Sequence, residues 1–222
     1  MFKYPKMKNL FKRQMDKTKP NYGKIIVGEW SRPEFKYLAD CEWHWTEKID
    51  GMNIRVIWFN GKLYFKGRTD RAIIPEHLEK RLTEKFSEEL FERFGKKHVC
   101  LYGEGYGKGI QKGGERYNPN GASFILFDIW IDGYWIERKG VSDIGNALDC
   151  IIVPTLGIGT LFEASRITSG GFWSEFGQFC AEGLVLRPLH ELCDKNGNRI
   201  IAKIKHKDFP HTDPTTDLMR GE

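Results

Sequence analysis

Along most of this chain the apolar residues recur at every second position; only one long stretch repeats at helical spacing. Residues 41–46 are aromatic and extended, EKIDGMN forms a tight turn, and residues 53–59 resume as a strand with Ile54, Val56 and Trp58 on one face. Asn60-Gly61 is a two-residue hairpin signal, because both residue types tolerate positive φ, so KLYFKG returns as the next strand. Pro75 opens a predicted helix in which Leu78, Leu82, Phe86, Leu90 and Phe94 follow at helical spacing, with Gly95 as its C-cap. Strands are predicted at 98–103, 123–131 and 134–137, the last two joined by Asp132-Gly133. A shorter helix is expected near 142–150, and another at Thr160, where Glu163 completes a capping box. GLVLRP (183–188) and RIIAKIKH (199–206) read as two more strands around the turn DKNGN. Hairpins dominate and no βαβ rhythm appears, which gives an α+β fold with antiparallel sheets and flanking helices.

Composition narrows the class. A hydrophobic share of 40% fills a core, and a 14% aromatic share leaves rings to stack on bases. No apolar run approaches the roughly 20 residues that span a bilayer. The basic start, MFKYPKMKNLFKRQM, lacks the apolar stretch of a secretion signal. The expectation is a cytoplasmic protein with no membrane partner. The five cysteines are scattered without a CxxC pair and the six histidines form no HExxH, which argues against a disulfide framework and a structural zinc site.

The charge is uneven. Lys3, Lys6, Lys8, Lys12, Arg13, Lys17, Lys19 and Lys24 face only Asp16 in the first 24 residues, an excess larger than the +5 of the whole chain. Residues 1–24 therefore read as a basic arm and 25–222 as one domain. Two readings of the arm compete. It neutralises nucleic-acid phosphates and releases counterions, or it packs through Phe2, Tyr4, Leu10 and Phe11 and its charges are merely solvated.

The chemistry centres on Glu47-Lys48-Ile49-Asp50-Gly51-Met52-Asn53. A lysine between two apolar strands sits on a rigid scaffold, where desolvation or nearby cations free its lone pair. Asp50 shares its face if the segment stays extended, and suits a divalent cation. Taken alone, KxDG is an ordinary turn composition. Five further segments add to it. Arg68 in KGRTD offers a planar fork to phosphate. LYGEGYGKG places Glu104 among glycines, where a ribose can approach the backbone; it fits neither phosphate-loop pattern. SFILFDIW holds Phe124 and Phe127, either able to stack on a purine. AEGLVLRP puts Glu182 before an apolar strand, and IAKIKHKDF aligns Lys203, Lys205 and Lys207 on one side.

In this order the segments resemble the motifs of the covalent nucleotidyltransferase superfamily of RNA ligases, DNA ligases and mRNA-capping enzymes. Lys48-x-Asp50-Gly51-x-Asn53 is most similar to the phage nick-sealing RNA-ligase branch. The resemblance implies the nucleotidyltransferase (adenylation) domain and an ATP-dependent RNA ligase, active in RNA repair with Mg²⁺ or Mn²⁺. Lys48 becomes the nucleophile, with Lys203 and Lys205 as catalytic, triphosphate-binding partners. Glu47, Asn53, Arg68, Glu104, Phe124 and Glu182 complete the expected ATP contacts, and Asp50 and Glu182 the metal site. Arg68 matches a phosphate contact, Glu104 a ribose contact and Phe124 the adenine-stacking ring.

Two features depart from that pattern. The chain ends soon after Lys205, which leaves no room for a C-terminal helical or OB domain. Grip on RNA, as a nicked duplex or an RNA–DNA hybrid, is then expected from the core, the arm or an accessory protein. Residues 138–180 follow no family pattern. The rivals are a minimal DNA ligase, a GTP-using capping enzyme and a catalytically silent single-strand binder.

Overall fold

The computed structural model describes residues 3–210, and it divides the chain into two compact units. One comprises Asp50–Val153 together with the chain start through Tyr4, the other Pro5–Ile49 together with the chain from Pro154 onward. A core needs only apolar faces that meet in space, and here two separate sets do so. No described helix is long and apolar enough to cross a membrane.

The first unit is built on an antiparallel sheet in the order Ala122–Ile131, Val99–Gly107, Met52–Phe59, Lys62–Gly67. Ile151–Ile152 adds to Ala122–Ile131 in parallel, and Tyr134–Trp135 adds antiparallel. Asn60 and Gly61 both take positive φ, 51° and 73°, and Asp132-Gly133 does likewise at 45° and 99°, so both expected hairpins form. Ile54, Val56 and Trp58 share one core with Leu78, Leu82, Phe86, Leu101 and Leu126. The helix expected from Pro75 to Phe94 is broken. Glu76–Lys85 ends at Phe86, which turns extended (φ −117°, ψ 117°). Ser87 then caps a new helix, Glu88–Phe91, by accepting from the Leu90 amide at 3.3 Å. The break leaves Phe86 and Phe91 both buried. The helix expected near 142–150 starts earlier, as Arg138–Ala147. It stops because Asp149 adopts φ 52° while the Asp149 and Cys150 amides donate back to the Asn146 and Gly145 carbonyls.

The second unit carries a five-stranded sheet in the order Lys8–Asn9, Ala202–Lys205, Gly183–Pro188, Trp43–Glu47, Thr155–Gly159. The first pair is parallel and the others antiparallel. The helix Leu161–Gly170 begins at the predicted capping box, with Thr160 and Glu163 bonded reciprocally. Two hairpins, Phe11–Arg13 with Ile25–Trp30 and Trp173–Ser174 with Gly177–Cys180, had no clear sequence signal. The described part of the basic arm is folded. Lys8–Asn9 is an edge strand, the Leu10 amide donates to the Lys203 carbonyl at 2.8 Å, and Leu10 and Phe11 are buried. Tyr4 is buried in the first unit, donating to Asp128 at 2.8 Å. The packed reading therefore holds for Tyr4, Leu10 and Phe11, while Phe2 lies outside the described residues. Lys6, Lys8, Lys12, Lys17 and Lys19 remain exposed.

Candidate active site

In the second unit, three strands bring Lys48, Glu182 and Lys205 together. Trp43–Glu47 pairs with Gly183–Pro188 so that Glu47 faces Leu184, and the Lys48 amide donates to the Gly183 carbonyl at 2.8 Å. On the other side Gly183 pairs with Lys205. Gly183 has to be a glycine: at φ +149° an added Cβ would lie 2.1 Å from the Ile204 carbonyl oxygen. With this register fixed, the residue before Gly183 reaches both lysines. Lys48 Nζ donates to Glu182 Oε2 at 2.5 Å, and the Lys205 ammonium pairs with Oε1. Their side chains are only 16%, 7% and 20% exposed for Lys48, Glu182 and Lys205, so the ions are poorly screened. Lys203, two residues before Lys205 on the same strand, is half-buried on the same face.

Glu47 departs from expectation. Its side chain is buried and both oxygens are engaged, one by the Ser174 hydroxyl at 2.6 Å and the other by the Glu175 amide at 2.9 Å. Burial raises its pKa, against the lowering effect of those two bonds. Glu47, an expected ATP contact, ties the 173–180 hairpin to the Trp43–Glu47 strand through these bonds. Ser174 was missed because nothing in residues 138–180 matched a pattern.

The first unit carries the other expected residues. Asn53 and Glu104 are register partners on adjacent strands, so their side chains emerge side by side. Asn53 Oδ1 is buried and accepts no hydrogen bond, the state of a group made for a ligand donor. Gly51 permits the approach of the Met52–Phe59 strand to this place, since a Cβ there would lie 2.3 Å from the Gly105 oxygen and 2.9 Å from Glu104 Cγ. Asp50 is half-buried, and its amide donates to the Tyr117 hydroxyl at 3.3 Å. Arg68 is exposed, directly after the Lys62–Gly67 strand.

Phe124 lies on the other face of the sheet from Glu104, since its register partner is Gly105, the neighbour of Glu104. Its ring is buried against Phe86, centroids 5.5 Å apart and nearly perpendicular, and fills the space left by Gly103. A purine cannot stack there without opening the core. Phe127, the other ring admitted by the sequence, sits where the register shifts and is half-buried. It meets Tyr4, which also packs on Tyr102, and Tyr102 shares the face of Glu104.

Among the described residues no three His, Cys, Asp or Glu side chains gather into a metal cage. Buried Glu182 Oε1 is paired with the Lys205 ammonium. One such hard anionic oxygen suits Mg²⁺, which commonly binds one or two carboxylates and completes its shell with water and phosphate oxygens.

The RNA ligase family matches this chain over residues 41–205, which spans every expected site residue. The chain belongs to the RNA ligase family. Its fold is that of solved RNA ligases from Naegleria gruberi. A form with pyrophosphate shares 18% identity over 92% of this chain and 62% of that one, with a TM-score of 0.62. A point mutant with ATP and manganese shares 18% over 91% and 57%, also at 0.62. An apo point mutant shares 19% over 78% and 51%, at 0.61. The chain thus spans between about half and two thirds of the length of these relatives. No curated protein sequence matches it.

Proposed function

We propose that this chain joins RNA ends with ATP, through a lysyl-AMP on Lys48 and an adenylylated 5′ end. The observation that carries the reading is the buried Lys48–Glu182–Lys205 array. Two ammonium groups meet one carboxylate there, a cationic setting in which a polyphosphate would bind. Membership of the RNA ligase family and the Naegleria proteins solved with ATP and with pyrophosphate support it.

The steps follow from the positions of the side chains. When a triphosphate enters, Lys203 and Lys205 turn from protein partners to its oxygens. Lys48 must lose a proton before it attacks, and Glu182 Oε2, already 2.5 Å from Nζ, is placed to take it. The Nζ–phosphorus bond then forms as the bond to the bridging oxygen breaks, and pyrophosphate leaves. A 5′-phosphate oxygen next attacks the lysyl-AMP phosphorus and frees Lys48. Finally a 3′-hydroxyl attacks the activated 5′-phosphorus and AMP leaves. Asn53 and Glu104 orient the nucleoside, Arg68 holds a phosphate, and Phe127 takes over from Phe124 as the stacking ring. A divalent cation at the Glu182 carboxylate would lower the charge that the amine meets, and Asp50 is a second carboxylate suited to such an ion.

The Asn after KxDG favours the nick-sealing branch, with a nicked duplex or RNA–DNA hybrid inside the cell as substrate and an accessory protein as an added grip. Labelled ATP and GTP compared side by side separate a ligase from a capping enzyme. Ligation of RNA, DNA and mixed nicks separates the polynucleotides. The decisive test is incubation with α-labelled ATP and Mg²⁺: label should stay on the wild-type chain and vanish in Lys48→Ala. Equal labelling of both would refute Lys48 as the nucleophile, and no label on either would refute the ligase reading.

A further inference from the structure

The loop that carries Arg68 is held from beneath by a side chain outside the motifs above. Arg55 lies in the middle of the Met52–Phe59 strand, flanked by Tyr102 and Lys66 in register, and its side chain is 0% exposed. Its Nε donates to the Gly67 carbonyl at 2.8 Å and its Nη2 to Asp70 Oδ1 at 2.8 Å. The two anchors bracket Arg68, one immediately before it and one two residues after. The loop closes as a turn across the second anchor, the Ala72 amide donating to the Thr69 carbonyl at 3.1 Å.

Asp70, one of the groups that answer the buried guanidinium, is 59% exposed, where an ion pair returns little stability. What the guanidinium adds is geometry: two donors in one rigid plane fix both the position and the rotation of the backbone they grip.

We propose that Arg55 and Asp70 are positioning residues that hold Arg68 in its phosphate-binding orientation. The inference rests on the assignment of Arg68 to a substrate phosphate made above. Arg55 also acts electrostatically on Cys100 and Tyr102 in the interior, so replacing it disturbs more than the loop. Asp70, at the exposed end of the pair, gives the cleaner perturbation.

The experiment is a double-mutant cycle on Asp70→Ala and Arg68→Ala. It reads lysyl-AMP formation from ATP, sealing of a pre-adenylylated RNA nick, and the melting temperature. Arg68→Ala slows one or both reactions. Asp70→Ala should slow the same reaction by about tenfold, the size of coupling between residues that act as a unit, and leave the melting temperature unchanged. In the Arg68→Ala background Asp70→Ala should have no further effect. Full activity of Asp70→Ala in the wild-type background overturns the inference. So does an equal loss in both backgrounds, which marks Asp70 as acting apart from Arg68, and so does an Arg68→Ala variant as active as wild type. A wild-type chain that takes no label from ATP overturns the ligase reading itself, so the two failures are told apart in one set of assays.

Discussion

Glu182 is the shared counter-charge of two lysines, and its removal should cost more than removal of either partner. In Glu182→Ala the Lys48 and Lys205 ammonium groups, which now touch opposite oxygens of one carboxylate, would face each other about 5 Å apart. At an effective dielectric of 20 that repulsion is about 3 kcal/mol. Breaking a fully buried pair typically costs 3–5 kcal/mol. The lysines keep 16% and 20% exposure, so solvent relieves part of it and about 2–3 kcal/mol remains. For a chain of this length that is a fall in melting temperature of about 5–10 °C. Lys48→Met leaves Glu182 paired with Lys205 and should cost less than about 1 kcal/mol. Replacing all three by Met, Leu and Met removes both charges and counter-charge, and should recover most of the stability. Urea unfolding of the four proteins at low and high salt measures this. If Glu182→Ala costs no more than Lys48→Met, or the triple replacement is the least stable, the carboxylate is not the common anchor described here.

Two other outcomes follow from the corrected positions and the shifted groups. Phe124→Ala should lower stability by about 3–5 kcal/mol through a core cavity, while Phe127→Ala should raise the KM for ATP with a smaller loss of stability; the reverse pattern would restore Phe124 as the stacking ring. Asp194 has its carboxyl pulled down to about 2 by the Asn198 amide and side chain, with Asn196 and Arg32 adding to it. A depressed pKa contributes stability that is present above the unfolded value of 3.8 and lost as pH falls toward about 2, so Asp194→Asn should flatten the melting temperature across that window, and an unchanged slope would exclude this role.

What the sequence revealed was what depends on near neighbours. Asn60-Gly61 and the Thr160–Glu163 box are complete within two to four residues, so their geometry follows from the residues themselves. The break at Phe86 was hidden because the helical spacing of apolar residues runs straight through it, and only packing decides which turn is given up. Arg55 was hidden for the opposite reason. Between Ile54 and Val56 it reads as a residue on the solvated face, yet that face is covered and Ile57 beside it is 7% exposed. Lys48, Glu182 and Lys205 were legible as types at suggestive places, but their meeting depends on strand register. The partner of Glu47 lay 127 residues away in a hairpin with no apolar alternation.

The sheet that brings Lys48 to Glu182 also sets an order of events in time. Its strands come from residues 8–9, 43–47, 155–159, 183–188 and 202–205, and the Asp50–Val153 part of the first unit is made between the second and the third. Lys48 leaves the ribosome early, yet Glu182 follows 134 residues later and Lys205 later still. Closing so long a loop is slow, and at ordinary synthesis rates the gap lasts many seconds. During that interval the nascent chain carries Lys48 without the carboxylate and the second lysine that it meets in the finished sheet. The Lys48–Glu182–Lys205 array therefore forms all at once, after residues 202–205 have been made, as a property of a finished sheet.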